Sequence, residues 1–148
     1  MSHFTIQEAK KEDLSKLLAL YTHLNDNPYP AIDSPLEKLW ADMVHDARQH
    51  ILLGYTEETL VSSCVLIIIP NLTHGQRPYA LIENVITHPH HRKRGYGSLL
   101  LTAARDIAAR NDCYKIMLMT GSKDDSTLRF YRQAGYNTED KTAFIQWL

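Results

Sequence analysis

Apolar positions recur at helical spacing in four segments of the chain, which favours amphipathic helices. The predicted helices cover residues 11–21, 34–44, 97–111 and 125–134. We expect the second helix to begin with Ser34 as its N-cap and Pro35 at its first position, because proline fits the first turn of a helix.

Shorter segments rich in β-branched and aromatic residues predict strands between these helices. They cover residues 4–6, 50–55, 60–69, 79–87 and 115–120, and residues 142–148 can add a last strand. A tight turn and a longer loop join the second, third and fourth strands, which indicates an antiparallel meander. A crossover helix separates the fourth strand from the fifth, so these two should lie parallel. The pattern predicts a mixed α/β fold.

The composition is that of one globular domain covering residues 1–148, with 44% hydrophobic residues. A formal net charge of -1 argues against a nucleic-acid partner. The amino-terminal residues do not resemble a signal peptide, and the longest apolar run, residues 65–69, is too short to span a membrane. Cys64 and Cys113 lie in or beside apolar runs, which is typical of buried thiols in a reducing compartment. We therefore expect a cytoplasmic protein.

A glycine-containing turn between the fourth strand and the third helix can hold phosphate. The first amides of a helix lack internal partners, the helix dipole favours an anion there, and glycine permits close approach of a ligand. Gly95 and Gly97 supply the glycines, and Arg92, Lys93 and Arg94 add three positive charges. The dinucleotide and Walker fingerprints are absent. A plain tight turn before an amphipathic helix remains the structural alternative.

Two sequence signatures add a family resemblance. Residues 83–100, with Arg92-Lys-Arg-Gly95-Tyr-Gly97 between a strand and a helix, resemble the acetyl-CoA motif of the GNAT superfamily of N-acetyltransferases. Phe130-Tyr131 followed by Gly135-Tyr136 is similar to that superfamily's second signature. The similarity covers essentially the whole chain and is strongest over residues 82–136. The segment that begins at Cys113 also resembles glucosamine-phosphate and aminoalkylphosphonate acetyltransferases.

The resemblance implies the GNAT fold, an α/β (α+β) fold with a mixed, mostly antiparallel sheet of about six to seven strands and about four helices. It also implies that acetyl-CoA is the cosubstrate and that its pantetheine arm inserts between two splayed parallel strands. Val85, Ile86 and Thr87 would contact this arm. The pyrophosphate would lie on the turn and the start of the helix, which comprise Arg92, Lys93, Arg94, Gly95, Tyr96, Gly97 and Ser98.

The reaction that the resemblance implies is direct attack of a neutral amine on the thioester. Glu83 would accept the ammonium proton or bind the ammonium, and the Val85 amide would stabilise the oxyanion. Tyr131 matches the position of a group that donates a hydrogen bond to the departing thiol and contacts the cofactor. Its alternative role is that of a core aromatic. Phe130 is interpreted as a packing residue.

One position departs from the family pattern. Many members have an asparagine near the start of the last helix that contacts the cofactor. This chain has Asp125 and Ser126 there, which could serve only as N-caps.

Two further groups of residues bear on the site. His88, His90 and His91 do not have zinc-site spacing, so we expect a solvated basic rim and no metal. Loops 25–35 and 70–78 would supply contacts to the acceptor. Asp26, Asp33 and Glu83 would suit a cationic amine, whereas His74 and Arg77 would suit an acceptor phosphate or carboxylate.

Three functions follow from these patterns. The first is acetylation of a primary amine on a small molecule. The second is acetylation of a peptide amino terminus or lysine, and the third is a non-catalytic module that binds CoA or uses residues 88–94 as a basic patch. A homodimer is possible, because the apolar residues 144–148 could form a strand that pairs across a subunit boundary.

Overall fold

The computed structural model describes residues 3–148. Within them, the strands are β1 (Phe4–Glu8), β2 (Gln49–Thr56), β3 (Thr59–Ile69), β4 (Tyr79–Thr87) and β5 (Ile116–Leu118). The helices are α1 (Leu14–Tyr21), α2 (Ser34–His45), α3 (Tyr96–Arg110) and α4 (Asp125–Gln133). Short 3-10 turns lie at Lys11–Asp13, His74–Gln76 and Pro89–His91. In this part of the chain no helix is long and apolar enough to cross a membrane.

The strands form one sheet in the order β1-β2-β3-β4-β5. The first four strands are antiparallel neighbours, and β4 pairs with β5 in parallel. This confirms the predicted mixed α/β fold, with the meander and the β4-α3-β5 crossover.

Within residues 3–148 the sheet has five strands, fewer than the six to seven that the family resemblance implied. The prediction of a last strand over residues 142–148 is wrong for this chain. A strand requires the edge of another strand as its partner. Residues 141–148 make no hydrogen bond to any other described residue, and all of them are exposed.

The two faces of the sheet carry separate apolar layers. On one face, α3 packs against a buried cluster that includes Leu52, Cys64 and Ile82, and α4 adds half-buried side chains. On the other face, α1 and α2 cover a second cluster that includes Leu53 and Val65. The sheet therefore has a helical layer on each side, and a site at the end of β4 can be reached from both layers.

Helix capping differs from the sequence prediction at two points. The N-cap of α2 is Asp33, whose Oδ1 accepts a hydrogen bond from Leu36 N at 3.0 Å, so Ser34 is the first helical residue. The N-cap of α4 is Asp124, without a side-chain capping bond, so Asp125 and Ser126 lie inside the helix. Aspartate and serine cap helices about equally well, and the backbone of the preceding loop decides between them.

Candidate active site

A cleft opens where β4 and β5 separate. The two strands pair only from Ala80 with Ile116 to Ile82 with Leu118. Beyond Leu118 β5 ends, while β4 continues to Thr87. The edge of β4 that faced β5 is therefore without a strand partner from residue 83 onward. The predicted splayed parallel pair is confirmed.

A β-bulge lies at the start of this unpaired edge. The register between β3 and β4 shifts between Ser63 and Val65, which pair with Ile86 and Glu83. Asn84 sits in the bulge with a left-handed φ of 53°, a conformation that asparagine tolerates better than most residues. Because a bulge bends a strand and redirects its side chains, Asn84 sets the direction of β4 along the cleft.

Tyr21, at the end of α1, contacts this bulge. Its phenol lies close enough to the side chains of Asn84 and Ser63 for both to lower its pKa. Burial raises the pKa of Tyr21 to about 12, and these two side chains only partly oppose that increase. The phenol therefore stays protonated at neutral pH. Sequence analysis treated Tyr21 only as an apolar helix position, and no local pattern links it to Asn84.

Glu83 faces the layer formed by α1 and α2. It is paired across the sheet with Val65, which belongs to the core cluster on that side, and directly paired residues share a face. The side chain is half-buried and forms no hydrogen bond or ion pair with residues 3–148. The Glu83 carboxylate can therefore accept a proton or an ammonium group.

Tyr131 lies on the opposite face of the sheet, where α4 packs against the α3 cluster. Its ring centroid is 4.9 Å from that of Phe130 and 6.4 Å from that of Tyr136. Burial, with a smaller effect from Cys64, raises the pKa of Tyr131. Its hydroxyl has no hydrogen-bond partner among the described residues. A neutral, unpaired phenol at this place can donate a hydrogen bond.

The glycine turn has the shape of an anion cradle. Gly95 is the N-cap of α3 with a φ of 82°, and a Cβ atom there would meet nothing within 4 Å. The Leu99 amide bonds back to the Gly95 carbonyl at 3.1 Å. The amides of Gly95, Gly97 and Ser98 precede this first helical bond and have no partner in the described part of the chain. The open space and free donors fit a pyrophosphate.

Gly97 is required for packing. A Cβ atom at this position would lie 2.9 Å from Cζ of Phe130. The absence of a side chain therefore lets α4 approach α3. Sequence analysis had explained this glycine by the approach of a ligand. The ring of Tyr96 also turns inward, stacking on Phe4 at a centroid distance of 4.3 Å.

Hydrogen bonds fix the end of β4 against the turn. Arg92 Nε donates to the Thr87 carbonyl at 3.1 Å. The Ser62 hydroxyl donates to the Ile86 carbonyl at 3.0 Å and lies 2.8 Å from Thr87 Oγ1. Arg92 and Thr87 therefore fix the shape of the site as well as line it. The contribution of Ser62 to this arrangement was not predicted from the sequence.

Two exposed positive charges remain beside the turn. Lys93 has a left-handed φ of 62°, and Arg94 follows it directly. Neither forms an ion pair with another residue in the range 3–148. Their charges are therefore available to phosphate.

The two predicted acceptor loops lie at different ends of the molecule. The loop between α1 and α2 exposes Tyr29 and Ile32 and contains Asp26, but Asp33 already caps α2. The loop before β4 is at the opposite end of the sheet from the glycine turn, because the extended chain from Arg77 to Glu83 spans about 20 Å.

The side chains of that second loop already have partners. Arg77 Nε donates to the carbonyl and to Oδ1 of Asp112 at 3.1 Å. His74 stacks on Tyr114 at a centroid distance of 3.9 Å. The structure therefore does not bring His74 and Arg77 to the cleft.

Four histidines group at the other side of the turn. The ring of His88 lies 4.5 Å from that of His23, 5.2 Å from His90 and 5.6 Å from His91. Desolvation lowers the pKa of His88, as do the charges of these histidines and Arg92. No group of three or more metal-ligating side chains that could hold an ion occurs within residues 3–148.

Neither cysteine has the properties of a nucleophile. Cys64 is fully buried, and burial raises its pKa to about 12. Burial also raises the pKa of Cys113. The thiolate is the reactive form of cysteine. The arrangement therefore suits direct transfer to an amine better than transfer through an acetylated cysteine.

Two cavities lie away from the cleft. One of about 310 Å³ lies between β2 and the end of α2 and is lined by Glu8, His45 and His50. The other, of about 270 Å³, lies between β1 and the second half of α3. Neither contains a predicted site residue.

Comparison with known proteins identifies the class. The model of the acetyltransferase (GNAT) family matches residues 9–136. The chain is 28% identical over 138 residues to a glucosamine 6-phosphate N-acetyltransferase of Trypanosoma brucei brucei, covering 89% of this chain and 88% of that protein.

Solved structures agree with this comparison. A structure described as an acetyltransferase from Agrobacterium tumefaciens superimposes with a TM-score of 0.89 at 33% identity, covering 97% of this chain and 99% of that one. The fold is also that of glucosamine-6-phosphate N-acetyltransferase from Arabidopsis thaliana, with a TM-score of 0.85 at 15% identity over 99% and 98% of the two chains. The chain belongs to the GNAT acetyltransferase family and is an N-acetyltransferase.

Proposed function

We propose that this protein transfers an acetyl group from acetyl-CoA to the primary amine of a small molecule by direct attack on the thioester. The observation that carries the proposal is the cleft between β4 and β5, with Glu83 toward one face and Tyr131 toward the other. Bound acetyl-CoA supplies the reactive carbonyl and leaves as the thiol. Family membership favours this catalytic role over a non-catalytic binding module.

Residues on the two faces of the sheet would have different roles in the reaction. Glu83 would take the proton of the incoming ammonium, because its carboxylate is unpaired and faces the α1 and α2 layer. The Val85 amide, next to the bulge, would donate a hydrogen bond to the developing oxyanion. Tyr131 would donate a hydrogen bond to sulfur. Its raised pKa makes full proton transfer to a thiolate unfavourable, so hydrogen-bond donation is its expected role.

Cofactor binding would use the glycine turn and the open edge of β4. Val85, Ile86 and Thr87 would face the pantetheine arm. The free amides of Gly95, Gly97 and Ser98 would hold the pyrophosphate, with the charges of Lys93 and Arg94 beside them. The exposed residues of the loop between α1 and α2 would contact the acceptor, since that loop adjoins the face on which Glu83 lies.

The decisive experiment measures acetyl-CoA binding by calorimetry and then CoA release with a panel of amines. Glucosamine 6-phosphate comes first in the panel, because a relative matched over most of the chain is named for that substrate. Other amino sugars, aminophosphonates, aminoglycosides, polyamines and peptides follow. Absence of acetyl-CoA binding would refute the proposal, and turnover of peptides alone would assign a protein acceptor.

The proposal also covers the domain organisation, cellular location, partners and oligomeric state of the enzyme. Residues 1–148 would act as one catalytic domain in the cytoplasm, without a metal, a membrane or a nucleic acid as partner. The two cysteines are unpaired, which fits a reducing compartment. Separating lysate into soluble and membrane fractions tests the location. We also propose that the active form is a homodimer.

A further inference from the structure

Four histidine rings from two parts of the chain meet at the end of β4. His23 follows α1, whereas His88, His90 and His91 lie in the connection between β4 and α3. His88 is central, because its ring centroid lies 4.5 Å from that of His23, 5.2 Å from that of His90 and 5.6 Å from that of His91. We call these four residues the histidine cluster. The fold therefore brings together four groups that can each gain a positive charge.

The histidine cluster has no anionic partner in the described part of the chain. No ion pair joins any of its rings to a carboxylate. Desolvation, the other three histidines and Arg92 all lower the pKa of His88, and no carboxylate opposes them. Because an opposite charge stabilises the protonated form of histidine, an anion bound here would reverse this unfavourable environment.

Hydrogen bonding within the cluster leaves donors free. Nδ1 of His88 accepts a hydrogen bond from the His90 amide at 3.1 Å, so the neutral ring carries its proton on Nε2. That N–H group has no partner among the described residues. Nδ1 of His91 is buried and also without a partner in residues 3–148, and the side chains of His23 and His90 are exposed. The cluster thus offers one fixed donor beside rings that gain a second donor on protonation.

The cluster adjoins the proposed phosphate site. Arg92 directly follows His91, and its Nε donates to the Thr87 carbonyl at 3.1 Å, which holds the connection against the end of β4. The free amides at the start of α3 follow within a few residues. On the other side, His23 lies at the start of the loop that would contact the acceptor. Both the coenzyme and the acceptor could therefore bring an anion to the cluster.

We infer that the histidine cluster is a proton-coupled subsite for a phosphoryl group of the coenzyme or of the acceptor. The Nε2–H group of His88 donates to a phosphoryl oxygen, and the surrounding rings bind protons from solution that balance the negative charge. No covalent bond forms or breaks in this step. The inference rests on the proposed function, because that function supplies the phosphorylated ligand.

Proton coupling makes ligand binding depend on pH. A bound anion raises the pKa of the histidines beside it, so binding takes up protons near the ordinary histidine pKa of about 6.5. If the pKa of one ring rises by about one unit, uptake at the midpoint is about half a proton. The ligand then binds about fivefold more tightly at about pH 5.5 than at about pH 7.5.

The first test measures proton uptake by calorimetry at about pH 6.5 in buffers of different ionisation enthalpy. The probe is 3′-dephospho-CoA, because it lacks the phosphate monoester that itself titrates near pH 6. We expect the native chain to take up about half a proton or more. The double variant His23→Gln with His90→Gln should lose more than half of this uptake. The matched control is His3→Gln with His45→Gln, which removes two exposed rings outside the cluster and should keep the native value.

A second titration series distinguishes the two sources of the phosphoryl group. Glucosamine 6-phosphate is added with and without bound coenzyme, and the difference between the native chain and the double variant isolates the protons bound by histidine. Histidine-dependent uptake with 3′-dephospho-CoA assigns the phosphoryl group to the coenzyme. Such uptake with glucosamine 6-phosphate alone assigns it to the acceptor.

The pKa values of the histidines in the native chain, measured by NMR, provide a test that needs no variant. Those of the cluster should rise by about one unit with ligand, whereas that of His45 should not change. Ligand binding without histidine-dependent uptake in either series, or without a rise in these pKa values, would overturn the inference. Absence of coenzyme binding would instead refute the proposed function, and the series with glucosamine 6-phosphate alone would then decide the inference.

Discussion

The phenol of Tyr21 interacts with the side chain of Asn84, the residue at which β4 bulges. This contact joins α1 to the strand that carries Glu83 and Val85. The position of a helix in one layer therefore fixes the direction of a strand edge in the proposed site.

Removing this contact should impair turnover more than acetyl-CoA binding. For Tyr21→Phe we expect kcat to fall about 10- to 100-fold, because small displacements of reacting groups are costly. Tyr55→Phe is the control, since Tyr55 donates to Asp13 at 3.2 Å in the same layer but away from the bulge. It should lower the unfolding midpoint and leave kcat unchanged. Equal kcat values for the two variants would show that Tyr21 is structural only.

The Tyr131 phenol should matter for chemistry. Tyr131→Phe is expected to lower kcat about tenfold, the effect of one lost hydrogen bond, with the calorimetric Kd for acetyl-CoA unchanged. Tyr136→Phe provides the comparison, because burial raises the pKa of this neighbouring phenol to about 12 as well. A full rate in Tyr131→Phe would assign that residue to packing.

The Glu83 carboxylate should control how the rate depends on pH. Glu83→Gln is expected to lower kcat/KM for the amine about 100-fold at neutral pH. The rate should recover as pH rises, because more of the amine is then already neutral in solution. Glu58→Gln, in the exposed turn between β2 and β3, is the control. Parallel pH profiles for native and Glu83→Gln enzymes would contradict a role in proton removal.

The two glycines of the turn should respond differently to alanine. Gly97→Ala should destabilise the fold by about 1–3 kcal/mol through overlap with Phe130. Adding Phe130→Leu should restore part of that loss. Gly95→Ala should cost about 1 kcal/mol because of its positive φ, and Phe130→Leu should not rescue it. Chemical denaturation measures these four variants and Phe130→Leu alone. Independent effects of Gly97→Ala and Phe130→Leu would show that the two positions are not coupled.

The pKa of His88 should make stability depend on pH. Because this pKa is lowered in the folded state, the unfolded chain binds more protons just below the ordinary histidine pKa of about 6.5. Stability should therefore be full above about pH 7 and decrease as pH falls through about 6. His88→Gln should flatten this part of the thermal-stability profile, whereas His3→Gln, at an exposed position, should not. An unchanged slope in His88→Gln would contradict the effect of the surrounding His23, His90, His91 and Arg92.

Sequence analysis succeeded where a local pattern determines structure. The strand over residues 79–87 has the predicted bounds, and its parallel pairing with β5 follows from the crossover helix between them. The glycine turn was correctly placed, but the two glycines differ in role. The role of Gly97 was not predictable because it depends on the Phe130 ring, which lies 33 residues further along the chain and reaches Gly97 only through tertiary packing.

The features that sequence analysis missed depend on distant partners. The bulge at Asn84 arises because β3 and β4 shift in register, and single-strand periodicity does not reveal such a shift. Arg77 was predicted to suit an acceptor phosphate or carboxylate, but its guanidinium forms an ion pair with Asp112. The tail has the pattern of a strand but pairs with no strand among the described residues, so pattern alone did not determine its structure.

Access to the cleft from both faces of the sheet has a consequence for kinetics. If the amine approaches Glu83 from one layer and the cofactor occupies the side of Tyr131, neither substrate obstructs the route of the other. Both must be bound together for reaction, since the described chain offers no reactive thiol to carry the acetyl group between them. Double-reciprocal plots of initial velocity should therefore intersect, and either product should be free to dissociate first.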